Sequence, residues 1–132
     1  MESIHVHSID DWSRVNEALD DFSDGAIKEV RFCSSDWLGH DDNLRYGEGA
    51  DLQVVVQLQT SDIRSAVLSF RGVARLEIDP SLDVYPAAAS QVSPATWRVE
   101  FLSCAVEAES CLVTPTGDTF LGQGPFIQPI EP

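Results

Sequence analysis

Residues 52–59 carry the pattern that most restricts this chain. Leu52, Val54, Val56 and Leu58 alternate with Gln53, Val55, Gln57 and Gln59. One face of such a segment is apolar and the other largely amide, the mark of a strand with one buried and one wet face. Alternation recurs over 66–71, where Ala66, Leu68 and Phe70 interleave with Val67, Ser69 and Arg71. It recurs again over 73–78 and 97–101. Residues 26–33 and 106–113 read as further strands, and residues 4–7 as a short one. The connections at 60–62 and at Gly72 are too short for the crossovers that parallel strands need. Most pairings are therefore predicted to be antiparallel, with Gln53, Gln57 and Gln59 on the open face.

One helix is predicted, over residues 9–21. Ser8 stands at the N-cap, with Asp11 in the position of a capping-box acid. Asp10 and Asp11 fall in the first turn, where the helix dipole favours negative charge. Trp12, Val15, Leu19 and Phe22 share one face. Gly25 can close the helix in the left-handed conformation. The expected fold class is α+β, mainly β. It is a curved antiparallel β-meander sheet, or a small sandwich or partly open barrel, with one N-terminal helix packed on it. The expected organisation is a single globular domain over 1–132, with 118–132 as an extended C-terminal tail.

Charge narrows the function. The chain of 132 residues holds 22 acids and 8 bases, a formal net charge of −14. Residues 1–51 contribute 13 acids against 4 bases, and residues 52–132 contribute 9 against 4. Such a surface repels nucleic acid and anionic lipid. No apolar run reaches the ~20 residues of a membrane helix, and no secretory signal is visible. The expected location is the cytoplasm, with no membrane partner. The acid excess reads as solubility, or as a negative face meeting a basic partner.

Cys33, Cys104 and Cys111 are odd in number and lack zinc-knuckle spacing, so buried or half-buried free thiols are expected. His5 and His7 would share one side of a strand, which is how some metal sites begin. With His40 they are the metal candidates, against a plainer reading as edge-strand surface residues. The loop 36–51 is acidic and aromatic. Its Asp36, Asp41, Asp42, Asn43 and Glu48 lack EF-hand spacing, so a solvated loop is the simpler reading. Trp37 and Leu38 either close the core beneath this loop or stand out with Tyr46 as a hot spot among charges. No nucleophile elbow, phosphate loop or dinucleotide fingerprint is present, and Gly122-Gln123-Gly124 is read as a turn.

Three segments carry a resemblance. Phe22-Ser23-Asp24-Gly25-Ala26-Ile27-Lys28-Glu29-Val30 follows a Phe-x-Asp-x-x-Ile-x-x-Val pattern. Leu68-Ser69-Phe70-Arg71-Gly72-Val73-Ala74-Arg75-Leu76 follows Leu-x-Phe-x-Gly-Val-x-x-Leu, and Trp97-Arg98-Val99-Glu100-Phe101 is similar to a later strand. Over about half its length the chain resembles the immunity protein 50 family of bacterial polymorphic toxin systems. It departs from the family where Ser23 stands in place of the usual histidine. The resemblance implies a protein that binds and blocks a toxin, and it brings no catalytic residues.

The function expected from the sequence is a non-enzymatic acidic protein-interaction domain, an immunity-type protein facing a basic toxin domain. The alternative is a small-ligand or metal-binding domain. The expected partner-binding residues are Trp37, Asp41, Asp42, Tyr46, Asp20, Asp21 and Asp24. No cofactor is expected, and the oligomeric state is not legible.

Overall fold

The chain is described as a computed structural model covering residues 2–22, 25–34, 36–45, 50–59, 62–79, 87–101 and 104–117. Its elements run β1 (Ile4–Val6), α1 (Ile9–Ala18), β2 (Gly25–Ser34), β3 (Trp37–Leu38), β4 (Leu44–Arg45) and β5 (Ala50–Leu58). They continue with β6 (Ser65–Arg71), β7 (Arg75–Ile78), β8 (Ala88–Gln91), β9 (Trp97–Glu100), β10 (Cys104–Ala108) and β11 (Ser110–Pro115). A five-stranded sheet has the order β1-β11-β6-β5-β2, and a four-stranded sheet the order β7-β10-β9-β8. β3 and β4 form a separate two-stranded hairpin. Every pairing is antiparallel, as the short connections predict. The mainly β, α+β class holds, and among the described residues neither large sheet closes into a barrel.

The strands follow a different route from a simple meander. β7 does not fold back on β6: it pairs with β10, while β11 takes the place beside β6. The expected strand 106–113 is two strands, one in each sheet, bent at Glu109. Chain direction changes at Gly72, whose φ of +63° lies in the left-handed region open to glycine. β6–β7 and β10–β11 are thus one antiparallel ribbon that leaves the first sheet and enters the second. The Glu109 amide donates to the Arg71 carbonyl at 3.0 Å, and the Ala74 amide to the Glu107 carbonyl at 2.8 Å. The Trp97 indole N–H donates to the Glu109 carbonyl at 3.0 Å. The bend is therefore fastened from three sides.

The core fills the angle between the sheets. Val54, Val56, Leu68, Phe70, Cys111 and Val113 face it from the first sheet, and Trp97, Val99, Val106 and Ala108 from the second. Trp12, Val15 and Leu19 of the helix face are buried with them. Trp12 stacks on Phe22 at 5.9 Å and meets Trp97 at 6.0 Å, while Phe22 meets Phe101 edge-on at 5.5 Å. Such aromatic pairs add about 0.5–1.5 kcal/mol each beyond area burial.

Both helix ends differ from expectation. Ser8 occupies the N-cap, but its hydroxyl makes no capping bond. Asp11 reaches past it and accepts the His7 amide at 3.0 Å. At the other end α1 stops at Ala18, and Asp20, Asp21 and Phe22 take φ of 53°, 54° and 58°. This left-handed turn, not Gly25, ends the helix. Left-handed backbone costs a non-glycine residue about 1–2 kcal/mol, less for Asp, and burial of Phe22 against Trp12 offsets it. Gly25 instead opens β2. β8 escaped notice in the sequence because its Ala88-Ala89-Ser90-Gln91 lacks β-branched and aromatic residues. The expected tail, 118–132, lies outside the described residues.

The bend makes a direct prediction. A Cβ at Gly72 would lie 2.6–2.8 Å from side-chain atoms of Glu109. Gly72→Ala is expected to lower unfolding stability by about 2–3 kcal/mol, from left-handed strain plus overpacking. In a Glu109→Gly background the same substitution costs less, because only the strain remains. Urea titration of the single and double variants measures the difference.

Candidate functional site

The two sheets present outer faces of different character. On the four-stranded sheet, β10 sets Glu107 between Arg75 and Arg98, and the next row runs Glu77–Ala105–Glu100. Arg98 binds Glu77, Glu100 and Glu107 at 2.8, 2.7 and 2.8 Å, and Arg75 binds Glu77 at 2.7 Å. The Arg98 and Arg75 guanidinium groups hold the Glu77 carboxyl below the ordinary range. The three carboxylates in turn push the Arg98 pKa up. This face is an internally compensated charge lattice.

The outer face of the five-stranded sheet is less neutralised. One cross-strand row reads Arg31–Gln53–Ser69–Leu112–His5 across all five strands. A second reads Glu29–Val55–Val67–Thr114. Gln53 and Gln57 lie on this open face as predicted. Arg31 pairs with Glu29 at 2.9 Å.

The hairpin β3–β4 stands apart from both sheets. Part of the expected loop 36–51 is thus regular: Trp37 pairs with Arg45, and Leu38 with Leu44. Asp41 builds its turn. Its carboxylate accepts the Asn43 amide at 3.2 Å, the Asn43 side-chain N–H at 3.0 Å and the Arg45 guanidinium at 2.8 Å. The Asn43 bonds, followed by that of Arg45, hold the Asp41 carboxyl below its ordinary value. Arg45 also sits 6.0 Å from the centre of the Trp37 ring, a cation–π contact.

Trp37 and Leu38 do not close the core. They are 59% and 64% exposed, with Leu44 at 53% and the preceding Phe32 at 56%. A two-residue strand cannot carry side chains back to a core already filled by Phe22, Trp97 and Phe101. Four large apolar side chains therefore face water within residues 32–44, beside the exposed Asp36, Asp41 and Asp42.

The structure separates the residues that sequence reasoning grouped. Asp20 and Asp21 lie exposed on the left-handed turn before β2, whereas Trp37, Asp41 and Asp42 follow its other end. Ten residues of strand put about 30 Å between these ends. Asp24 and Tyr46 lie outside the described residues. Asp41 is committed to the hairpin turn, which leaves Asp42 as the freer charge there.

The expected thiols divide. Cys104 and Cys111 are buried, and burial pushes the Cys104 thiol up to about 11 and that of Cys111 further. Cys33 is exposed, contrary to expectation. It pairs with Asp51 on β2, an edge strand, where its side of the sheet has no covering layer. His5 and His7 lie together on the first sheet with parallel rings 6.2 Å apart. His40 is in the β3–β4 turn, outside both large sheets. Among the described residues no three His, Cys, Asp or Glu side chains converge as metal ligands. No helix among them is long and apolar enough to cross a membrane.

No protein-family model, curated protein or solved structure matches this chain.

Two outcomes follow from this geometry. In native protein, Ellman's reagent titrates Cys33 rapidly and leaves Cys104 and Cys111 unreacted until denaturant is added. In the hairpin, Asp41→Lys shifts the Gly39 and Asn43 amide resonances toward unstructured values, whereas Asp42→Lys does not. Acid acts as the first substitution does. The depressed Asp41 pKa means its bonds are intact above the ordinary 3.8 and are lost as pH falls below that value.

Proposed function

We propose that this chain is a non-enzymatic interaction domain that docks a basic protein partner through the β3–β4 hairpin. The observation that carries the reading is the exposure of Phe32, Trp37, Leu38 and Leu44 beside acidic side chains. Large apolar groups cost free energy when left in water, about 25 cal/mol per Å². Exposed apolar side chains bordered by charge, with Leu38 and Leu44 on one side of the hairpin and Trp37 on the other, have the composition of a binding hot spot. The short turn and the Asp41 bonds hold the hairpin in one shape, which lowers the entropy lost on docking. The net charge of −14 supports a basic partner, through faster encounter more than through final affinity. The resemblance of the 22–30, 68–76 and 97–101 segments to the immunity protein 50 family supports a toxin domain as that partner, met in the cytoplasm.

The test is affinity for the basic domain encoded by a neighbouring toxin-like gene. Trp37→Ala is expected to weaken binding by roughly thirtyfold, the loss typical of a hot spot. Asp42→Lys is expected to slow association at low salt and to have little effect at high salt. Tight binding that is indifferent to Trp37→Ala and Leu38→Ser would place the interface elsewhere and overturn the reading.

A further inference from the structure

The edge of the five-stranded sheet opposite the hairpin carries a different feature. Between β1, β11 and β6 lies a hollow of about 360 Å³. His5, His7, Ser69, Arg71, Ser110 and Leu112 line it, together with Cys111. Strand pairing explains how residues so distant in sequence meet. His5 lies opposite Leu112, Leu112 opposite Ser69, and Ser110 opposite Arg71. Residues two apart on a strand share a face, so His5 and His7 stand side by side, as do Ser69 and Arg71. The imidazole rings are 6.2 Å apart and within 7° of parallel.

Among the described residues the lining contains no carboxylate, although the chain has 22 acids. Its polar groups are imidazoles, a guanidinium and two hydroxyls, all able to donate hydrogen bonds. Four of the chain's eight Lys and Arg residues, Arg31, Arg45, Arg75 and Arg98, each hold a carboxylate. Arg71 has no ion pair among the described residues, and its side chain is exposed at the hollow. In a protein of net charge −14, a hollow whose described lining is bases and hydroxyls stands out, with Asp51 of β5 in register beside Arg71 at its rim. The matching ligand group is compact, anionic and rich in acceptor oxygens. A phosphate monoester meets all three requirements. Arg forks, His N–H groups and Ser hydroxyls are its usual donors, and charge-assisted bonds of this kind are about twice as strong as neutral ones. A volume of about 360 Å³ also admits the organic group that carries the phosphate, with Leu112 as an apolar wall.

We propose that the hollow between β1, β11 and β6 binds a phosphate-monoester group through Arg71, the paired His5 and His7 imidazoles and the Ser69 and Ser110 hydroxyls. The site reaches from the central strand β6 to the β1 edge and stands independently of the function proposed for the hairpin.

The chain supplies its own control, because its third histidine, His40, is exposed on the far hairpin. The experiment follows the three imidazole signals by NMR at fixed pH and ionic strength while one probe is titrated. The probes are inorganic phosphate, a short peptide bearing phosphoserine, sodium acetate and zinc chloride. Expected with phosphate or phosphopeptide is a saturable shift of His5 and His7 with His40 unmoved. Arg71→Gln, an exposed change that leaves the melting temperature in place, is expected to weaken binding roughly tenfold or more. Tighter binding of the phosphopeptide assigns the group to a phosphorylated protein, and tighter binding of inorganic phosphate assigns it to a free anion. Shifts that fail to saturate, that include His40, or that survive Arg71→Gln overturn the proposal. So does acetate binding as tightly as either phosphate probe, or a response to zinc without one to phosphate.

Discussion

The structure depends on one bend. Gly72 and Glu109 lie side by side where the ribbon β6–β7/β10–β11 passes from one sheet to the other. Two sheets joined only by loops would be free to slide. Two sheets that share a continuous hydrogen-bonded ribbon have a fixed angle, and the core is packed into it. Trp97 makes the coupling tight. Its ring is a central core element, touching Trp12 and Phe70, and its N–H holds the carbonyl of the bend. By contrast, the Trp12 N–H is buried without a hydrogen-bond partner among the described residues. Trp12 therefore contributes apolar area alone, while Trp97 contributes area and a directional bond.

The sheets were legible because alternation is a direct image of a half-buried strand. The breaks between them were legible in principle as well. Core-facing positions run 104, 106, 108 and then 111, 113, a slip of one residue at Glu109. A strand that keeps its inner face through such a slip has to bend or bulge. The same slip separates Ile27 from Val30, and there β2 shifts register against β5. An uninterrupted apolar count hides both events, whereas the phase of the alternation reveals them. The left-handed turn at Asp20–Phe22 left no comparable trace. Nothing in Asp-Asp-Phe favours that backbone strongly, and it exists because Phe22 has a cavity to fill beneath Trp12.

The sites were less legible, for two reasons. The first is that exposure does not show in a short segment. Trp37-Leu38 reads the same whether it caps a core or faces water, and only the filled state of the core decides. The second is that strand pairing brings together residues that share no local pattern. His5, Ser69, Arg71 and Ser110 come from three strands, and their proximity is a property of register. Conversely, sequence nearness misleads along a strand. Asp20 and Asp21 join Asp41 and Asp42 in the acid count of residues 1–51, yet the length of β2 holds them about 30 Å apart.

Net charge therefore describes this molecule poorly, and its distribution matters more. The lattice around Arg98 ties two bases and three acids together within one face, so most of their charge cancels locally. The remaining acid excess is most useful where it borders exposed apolar groups, at the hairpin. Arg71, on the central strand β6, stands in register between Ser110 of β11 and Asp51 of β5, and the hollow opens from it toward β1. The β1 and β2 edges of the sheet are four strand spacings or about 19 Å apart, while Arg71 on β6 is two spacings or about 10 Å from β2. The edge-to-edge distance exceeds the Debye length of about 8 Å at physiological salt. Charges on one edge are largely screened from the other. A basic surface at the hairpin and an anionic group in the hollow would each meet a local potential of favourable sign. The fold reaches this arrangement by keeping the sheet wide and open, which places its two edges in separate electrostatic environments.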